Sequence, residues 1–199
     1  MSPPPAQRYG RLFVVSGPSG AGKGTVVRGL LERRPDVFFS VSATTRPARP
    51  GERSGIDYHF ISESEFRAMR DRGDFLEWAE VYGHYYGTPR HPVDSALAAG
   101  RDAILELDIQ GAQAIKRARP DAVLVFIEPP SLEALWLRLR GRGTDDPETI
   151  SKRVRAAYEE VKSRGLYDHI VVNDQLERAV DDLLRILEEP GSPKTGRKQ

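Results

Sequence analysis

The sequence predicts an α/β domain, a parallel sheet covered by helices on both faces, with a smaller subdomain inserted into it. Three observations predict it. Short apolar runs alternate with segments of helical periodicity along most of the chain. Two of those runs, Ala103–Asp108 and Ala122–Ile127, are apolar nearly throughout, as strands buried on both faces are. The first run, Leu12–Val15, passes through a glycine-rich loop straight into a helical segment.

The elements follow in order. Leu12–Val15 is β-branched and aromatic and stops at a glycine. Val26–Arg33 continues as a helix with Val27, Leu30 and Leu31 on one side. Phe38–Val41 reads as a strand, Arg46–Ser54 as a loop rich in Pro, Gly and Arg, and Asp57–Ile61 as an alternating strand. Ser62 opens a helix and Glu65, three residues on, completes a capping box; Phe66 and Met69 give it an apolar side, and Gly73 ends it. Phe75–Val81 is a strand, and Pro92 fits the first turn of a helix that ends at Gly100.

Between the two buried strands, Gln110–Arg117 is helical. Ser131 caps a helix carrying Leu132, Leu135, Trp136 and Leu139. Asp146 before Pro147 caps another, with Ile150, Val154, Tyr158 and Val161 at helical spacing. His169–Val172 is the last strand and Leu176–Leu187 the last helix. The stretch from about 37 to 88 has loops and strands but little helix, and is the inserted subdomain; 11–36 and 89–189 form the core. Residues 1–10 and 190–199 read as a flexible start and a disordered basic tail, too poor in apolar side chains to offset the entropy of ordering them.

Composition narrows the function. A chain of 199 residues is one domain. Lys plus Arg number 30 against 29 Asp plus Glu, a formal charge of +1, which argues against a nucleic-acid binder. There is no cysteine, so disulfides, thiolate metal sites and cysteine nucleophiles are excluded. No apolar run approaches the roughly 20 residues of a membrane span, and the Pro-rich start lacks a secretory apolar stretch; the expected location is the cytoplasm. The 4 histidines, His59, His84, His91 and His169, show no metal-ligand spacing.

The strongest chemical signal is Gly17-Pro18-Ser19-Gly20-Ala21-Gly22-Lys23-Gly24-Thr25, a G-x-x-x-x-G-K loop between a strand and a helix. Glycines let backbone N–H groups curl around a phosphate, the helix N-terminus adds partial positive charge, and Lys23 supplies a full charge for the outer phosphates of a nucleoside triphosphate. Gly24 stands where this motif usually has a Ser or Thr whose hydroxyl ligates magnesium, so waters and phosphate oxygens are expected to hold the ion, with Thr25 on a phosphate.

A second set of residues suits a phosphorylated acceptor. Arg46 and Arg49, in the loop Ser42-Ala43-Thr44-Thr45-Arg46-Pro47-Ala48-Arg49, can clamp a phosphate from two sides. Then come Gly55-Ile56-Asp57-Tyr58-His59-Phe60, Phe75-Leu76-Glu77-Trp78-Ala79-Glu80 and Gly83-His84-Tyr85-Tyr86-Gly87-Thr88. With these motifs in this order, from about Leu12 to Leu187, the chain resembles the guanylate kinases. The resemblance implies transfer of the γ-phosphoryl group of ATP to GMP or dGMP with Mg2+, giving ADP and GDP or dGDP. It also implies a P-loop kinase core, a GMP-binding subdomain and a mobile lid at about 138–155.

By motif, the resemblance places Ser42, Arg46, Arg49, Tyr58, Glu77, Tyr86 and Thr88 on GMP; Asp108 also matches a family position, and for it two roles stay open, on the GMP side or on a magnesium-bound water. Glu77 would accept both N1–H and the 2-amino group of guanine, an arrangement adenine cannot satisfy. Thr88 and Ser42 would donate to guanine O6, and Arg46, Arg49, Tyr58 and Tyr86 would hold the GMP phosphate. Glu106 stands where the family usually has Asp, one methylene shorter. Arg138, Arg142 and Arg153 match lid arginines that bind phosphate, while Arg140 and Arg155 read as exposed charges. Asn173, in Ile170-Val171-Val172-Asn173-Asp174, matches a segment beside the adenine. Lys23, Arg46, Arg142 and Arg153 are the expected transition-state stabilisers. ATP binding is assigned to Gly17, Pro18, Ser19, Gly20, Ala21, Gly22, Lys23, Gly24, Thr25, Arg138, Arg142 and Asn173. No protein side chain is assigned to the metal directly, and monomer and homodimer both stay open. Two alternatives also stay open: a nucleoside monophosphate kinase of other base specificity, since Gly24-Thr25 resembles the adenylate kinase loop ending, and a catalytically inactive interaction module.

Overall fold

A computed structural model describes residues 9–81, 83–141 and 147–189. The tail from 190 onward and Asp146, the expected cap, lie outside the described residues. Gly10 is buried and its N–H donates to the Leu97 carbonyl at 2.8 Å, so ordered structure begins before the expected boundary at residue 11.

The core sheet has five strands: β1 (Leu12–Ser16), β2 (Phe38–Phe39), β7 (Ala103–Glu106), β8 (Val123–Glu128) and β9 (His169–Val172). Their order is β2-β7-β1-β8-β9 and every pairing is parallel. β1 is central, with Phe13 opposite both Ile104 and Val123. Alternation along each strand sorts the core into two layers. Phe13, Val15, Ile104, Val125 and Ile127 face α1 (Lys23–Arg33) and α7 (Leu176–Glu188), which contribute Leu30, Val180 and Leu183. Leu12, Val14, Leu105, Leu124 and Phe126 face α3 (Arg90–Ala98) and α4 (Ile109–Ala118), which contribute Val93, Leu97 and Ile115. Helices therefore cover both faces, the architecture the sequence predicts. Every parallel strand presents its carboxyl end to one edge, where ligands of such sheets bind.

The second sheet has the order β4-β3-β6-β5, from β3 (Ala43–Thr44), β4 (His59–Phe60), β5 (Phe75–Val81) and β6 (His84–Pro89). Two differences from the sequence reading stand out. Phe38–Phe39 pairs with β7, so the core sheet takes in residues that the sequence places at the start of the insert. β6 has no strand signature, because Gly87 and Pro89 interrupt it, yet it pairs with both β3 and β5. The reason for Gly87 is steric. A Cβ there would stand 2.9 Å from the Phe75 ring and 3.1 Å from the Phe66 ring.

Those rings are the insert's own core. α2 (Glu63–Asp71) starts at Ser62, whose Oγ accepts from the Glu65 N–H at 3.2 Å as the capping box requires. It delivers Phe66 between Phe75, 4.4 Å between centroids, and Tyr85, 5.3 Å. Phe66→Ala empties the centre of a cluster with few other members. It is expected to cost about 3–5 kcal/mol of the insert's stability, read as a lowered thermal midpoint and faster amide exchange confined to the insert.

The remaining helices are α5 (Leu132–Gly141) and α6 (Pro147–Val161), followed by one 3-10 turn at Lys162–Leu166. Ser131 caps α5, accepting from the Ala134 N–H at 3.0 Å. Leu135, Leu139 and Ala157 are buried together, with Val154 against them. Three residues expected on apolar faces are not: Leu132 is 38% exposed, Trp136 is 38% exposed beneath the Arg140 guanidinium, and Tyr158 is 53% exposed beneath the Lys162 ammonium. The inward stripe of α6 runs through the small Ala157, which a count of large apolar residues passes over.

Candidate active site

The phosphate loop leaves β1 at its carboxyl end and enters α1. Gly17, at φ 141°, lies under the Ile127 carbonyl, which a Cβ would meet at 2.0 Å. Gly22, at φ 90°, caps α1 with its Cα facing the Asn173 amide, 2.4 Å from where a Cβ would be. Both positions demand glycine for backbone and for space. The Lys23 ammonium folds back over the loop and donates to the carbonyls of Gly17 at 2.6 Å and Pro18 at 3.2 Å.

Two adjoining cavities open on the insert side of this loop. The larger, about 660 Å³, is lined by Lys23, Gly24, Arg28, Ser42, Tyr58, Glu106 and Asp108 among others. The smaller, about 190 Å³, is lined by Ser42, Tyr58, Glu77, Tyr86, Glu106 and Asp108 among others. On the other side, Gly20, Gly22, Thr25, Arg138 and Asn173 line a separate groove with Asp174 and Leu176. Gly20, Gly22, Thr25, Arg138 and Asn173, expected on ATP, thus line one side, and Ser42, Tyr58, Glu77, Tyr86 and Asp108, expected on GMP, line the other, together with Lys23 and Gly24.

Glu77 sits on β5, half-buried, and Oε1 accepts from the buried Thr88 hydroxyl at 2.6 Å. The Thr88 hydroxyl, expected on guanine O6, directs its single proton at Glu77 here and orients the carboxylate. Oε2 lies toward the start of α4, 3.2 Å from where a Cβ on Gly111 would be. Burial pushes the Glu77 carboxyl above its ordinary value, and the negative charge of Asp108 adds to this against the Thr88 hydrogen bonds. Asp108 is the N-cap of α4 and accepts from the Gly111 N–H at 2.8 Å, which gives one of its oxygens a structural task.

Arg46 does not stand open. Its guanidinium makes two 2.9 Å bonds to the two oxygens of Glu52 and a third, at 2.8 Å, to the Pro47 carbonyl. It lies 5.4 Å from the Tyr58 ring centroid and 5.8 Å from that of Phe60. The Glu52 partnership holds Arg46 above and Glu52 below their ordinary values. Glu52 was passed over in the sequence, where one acid after Pro50-Gly51 reads as turn polarity; the signal was its place three residues after Arg49, whose N–H it also accepts at 2.7 Å. The Arg49 side chain is exposed. Tyr58 and Tyr86 meet edge to face at 6.0 Å, and burial pushes the Tyr58 hydroxyl up.

Asn173 is buried at the end of β9, and its amide donates to the Ala21 carbonyl at 2.7 Å. Arg138 donates to the Asn173 carbonyl at 2.7 Å. The pair clamps the phosphate loop, so the Asn173 amide is engaged with backbone rather than presented to a base. α5 meets the loop too, since a Cβ on Gly20 would stand 2.8 Å from Leu135. Arg153 is half-buried on α6, Arg140 and Arg155 are exposed, and Arg142 lies outside the described residues.

Two carboxylates face Lys23. Burial raises Glu106, against the cations Lys23 and Arg28. It also raises Glu160 of α6, another residue the sequence reading passed over, against Lys23 and a hydrogen bond from the Ser19 N–H. No group of three or more metal-ligating side chains exists among the described residues. The donor set is nonetheless hard oxygen, and no hydrogen bond reaches the Glu106 carboxylate among the described residues. That fits a magnesium ion that keeps most of its waters.

Comparison with known proteins identifies the family. The family model described as guanylate kinase matches residues 9–190. A guanylate kinase of Carboxydothermus hydrogenoformans is 53% identical over 178 residues, covering 89% of this chain and 87% of that protein. One of Thermus thermophilus is 53% identical, covering 89% and 80%. The crystal structure of guanylate kinase from Anaplasma phagocytophilum superposes with a TM-score of 0.75 at 33% identity, covering 94% of this chain and 89% of that one. With a family model spanning nearly all of it and relatives at this identity along most of their length, the chain belongs to the guanylate kinase family.

Proposed function

We propose that the loop and the two cavities carry out the family's reaction by holding ATP and GMP in line across Lys23. The chain is an ATP:GMP phosphotransferase, and nothing found favours an inactive module or another base specificity. One observation carries the assignment of roles. The loop lysine and the carboxylate suited to guanine line adjoining cavities that share Ser42, Tyr58, Glu106 and Asp108.

GMP enters with guanine toward Glu77 and Ser42, and its phosphate toward Tyr58, Tyr86 and the arginine loop. Arg46 takes the phosphate only by loosening its fork from Glu52, so Glu52 acts as a stand-in anion that keeps Arg46 placed. Arg49, exposed beside it, supplies the second charge. ATP lies on the other side, with its phosphates in the loop of residues 17–25 and the adenosine toward Arg138 and Asn173. The segment at about 138–155 acts as the lid, bringing Arg142 and Arg153 to the phosphates and excluding water.

The acceptor oxygen of GMP is already ionised, so no general base is needed. Lys23, Arg46, Arg142 and Arg153 stabilise the charge spread over the equatorial oxygens. Magnesium, when bound, neutralises phosphate charge; Glu106 and Asp108 are the side chains that would hold it, through its waters. ATP and GMP or dGMP are the partners, and the cytoplasm is the location; no described helix is long and apolar enough to cross a membrane.

The test is ADP formation from Mg-ATP with GMP, dGMP, AMP, UMP or CMP as acceptor. Turnover with GMP and dGMP alone is expected. Comparable turnover with AMP would overturn the role given to Glu77.

A further inference from the structure

Two departures from the usual pattern, far apart in sequence, touch each other in space. Gly24 is the second residue of α1 and its backbone is ordinary helix, outside the set of positive-φ glycines. Glycine weakens a helix and nothing in the local backbone asks for it here. Its reason lies across the gap. A Cβ on Gly24 would stand 3.3 Å from Oε2 of Glu106 and 3.6 Å from Oε1, the first tighter than nine in ten real Cβ contacts, so that the carboxylate would have to give way by a few tenths of an ångström. Glu106, at the end of β7, is one methylene longer than the aspartate usual at its place, and that methylene carries its carboxylate into the space Gly24 leaves.

The usual loop puts a hydroxyl at position 24 to ligate magnesium. Here an oxygen anion stands there instead, contributed by another strand. It is half-buried, faces Lys23 and Arg28 across the larger cavity, and accepts no hydrogen bond among the described residues. A half-buried carboxylate without a donor is poised for a cation or for the waters of one.

We propose that Gly24 and Glu106 are a matched pair, in which Glu106 reaches across Gly24 and orients the magnesium of Mg-ATP in place of the missing loop hydroxyl. This rests on the reading of Mg-ATP as phosphoryl donor. Glu106 is then a positioning residue for the donor, acting through the ion's waters. The two positions should exchange only together. A serine at 24 beside Glu106 is crowded, and its hydroxyl donates to the carboxylate instead of reaching the ion. An aspartate at 106 opposite Gly24 leaves neither group within reach. Both changes together restore the usual hydroxyl with room beside it.

The experiment is calorimetric binding of a non-hydrolysable ATP analogue, with and without Mg2+, to the whole chain and to E106Q, E106D, G24S and G24S/E106D. The unliganded thermal midpoint of each variant is recorded to show that it folds. In the unchanged chain magnesium is expected to raise analogue affinity. E106Q, E106D and G24S are each expected to lose about tenfold or more of that increment, with metal-free affinity little changed, and the double variant to regain most of it. An unchanged increment in E106Q, or a double variant no better than the sum of its single changes, would overturn the pairing. Should E106Q fail to fold, E106D and G24S/E106D, which keep a carboxylate, decide the matter by the same pattern. Absence of any magnesium increment in the unchanged chain would overturn the Mg-ATP reading itself, an outcome distinct from failure of the variants alone.

Discussion

Glu77→Gln is expected to lower kcat/KM for GMP by about 10²- to 10³-fold, the weight of two hydrogen bonds to a charged group at roughly 1.5 kcal/mol or more each. The amide can accept from one guanine donor but presents its own N–H2 to the other. AMP, which the carboxylate repels at N1, should lose little or gain, so the base preference collapses from both sides. Steady-state kinetics with the two acceptors measures this, and an unchanged GMP/AMP ratio would remove Glu77 from base recognition. The pH profile supplies an independent check. Burial raises the Glu77 carboxyl. Guanine needs it ionised, so GMP use should fall as pH drops through that raised value, with a midpoint above the ordinary carboxylate range. The Gln variant should lack this limb. For the unliganded fold the sign is opposite: stability contributed by the neutral carboxyl is present at low pH and lost as pH rises through the same value.

Lys23→Ala should reduce kcat by about 10²- to 10³-fold while leaving GMP affinity nearly intact, since the charge it supplies matters most as the equatorial oxygens become more negative. Single-turnover rates with saturating ATP and GMP, beside GMP binding measured alone, separate the two. Near-normal turnover would take Lys23 out of the mechanism. Its ammonium also ties down Gly17 and Pro18, so the thermal midpoint of the variant belongs in the same experiment.

The core was legible because its signals are local. An apolar run between turn residues reads as a buried strand wherever it lies, and β1, β7, β8 and β9 all appear within a residue or two of where the sequence puts them. The insert was legible only in part. β3, two residues long, has no periodicity to detect, whereas β4 lies inside the alternating stretch Asp57–Ile61 that reads as a strand. Gly87 and Pro89 hide β6, which only its pairing with β3 and β5 reveals. The site divides in the same way. The loop glycines and Lys23 carry their meaning in their spacing. The tasks of Thr88, Asn173 and Asp108 depend on who stands opposite: a carboxylate eleven residues back, a loop carbonyl from the far end of the chain, a helix turn. Glu52 and Glu160 were invisible because a lone glutamate in a loop or on a helix is the commonest surface residue there is, and only the fold shows that each meets a cation or a loop N–H.

The close approach at Gly111 is where the insert's sheet leans on the core. There a carboxylate on the second sheet meets the backbone of a core helix with no side chain between them. Glu77 is therefore braced from two sides, by its own strand and by a core helix, while the arginine loop runs between two-residue strands of the insert.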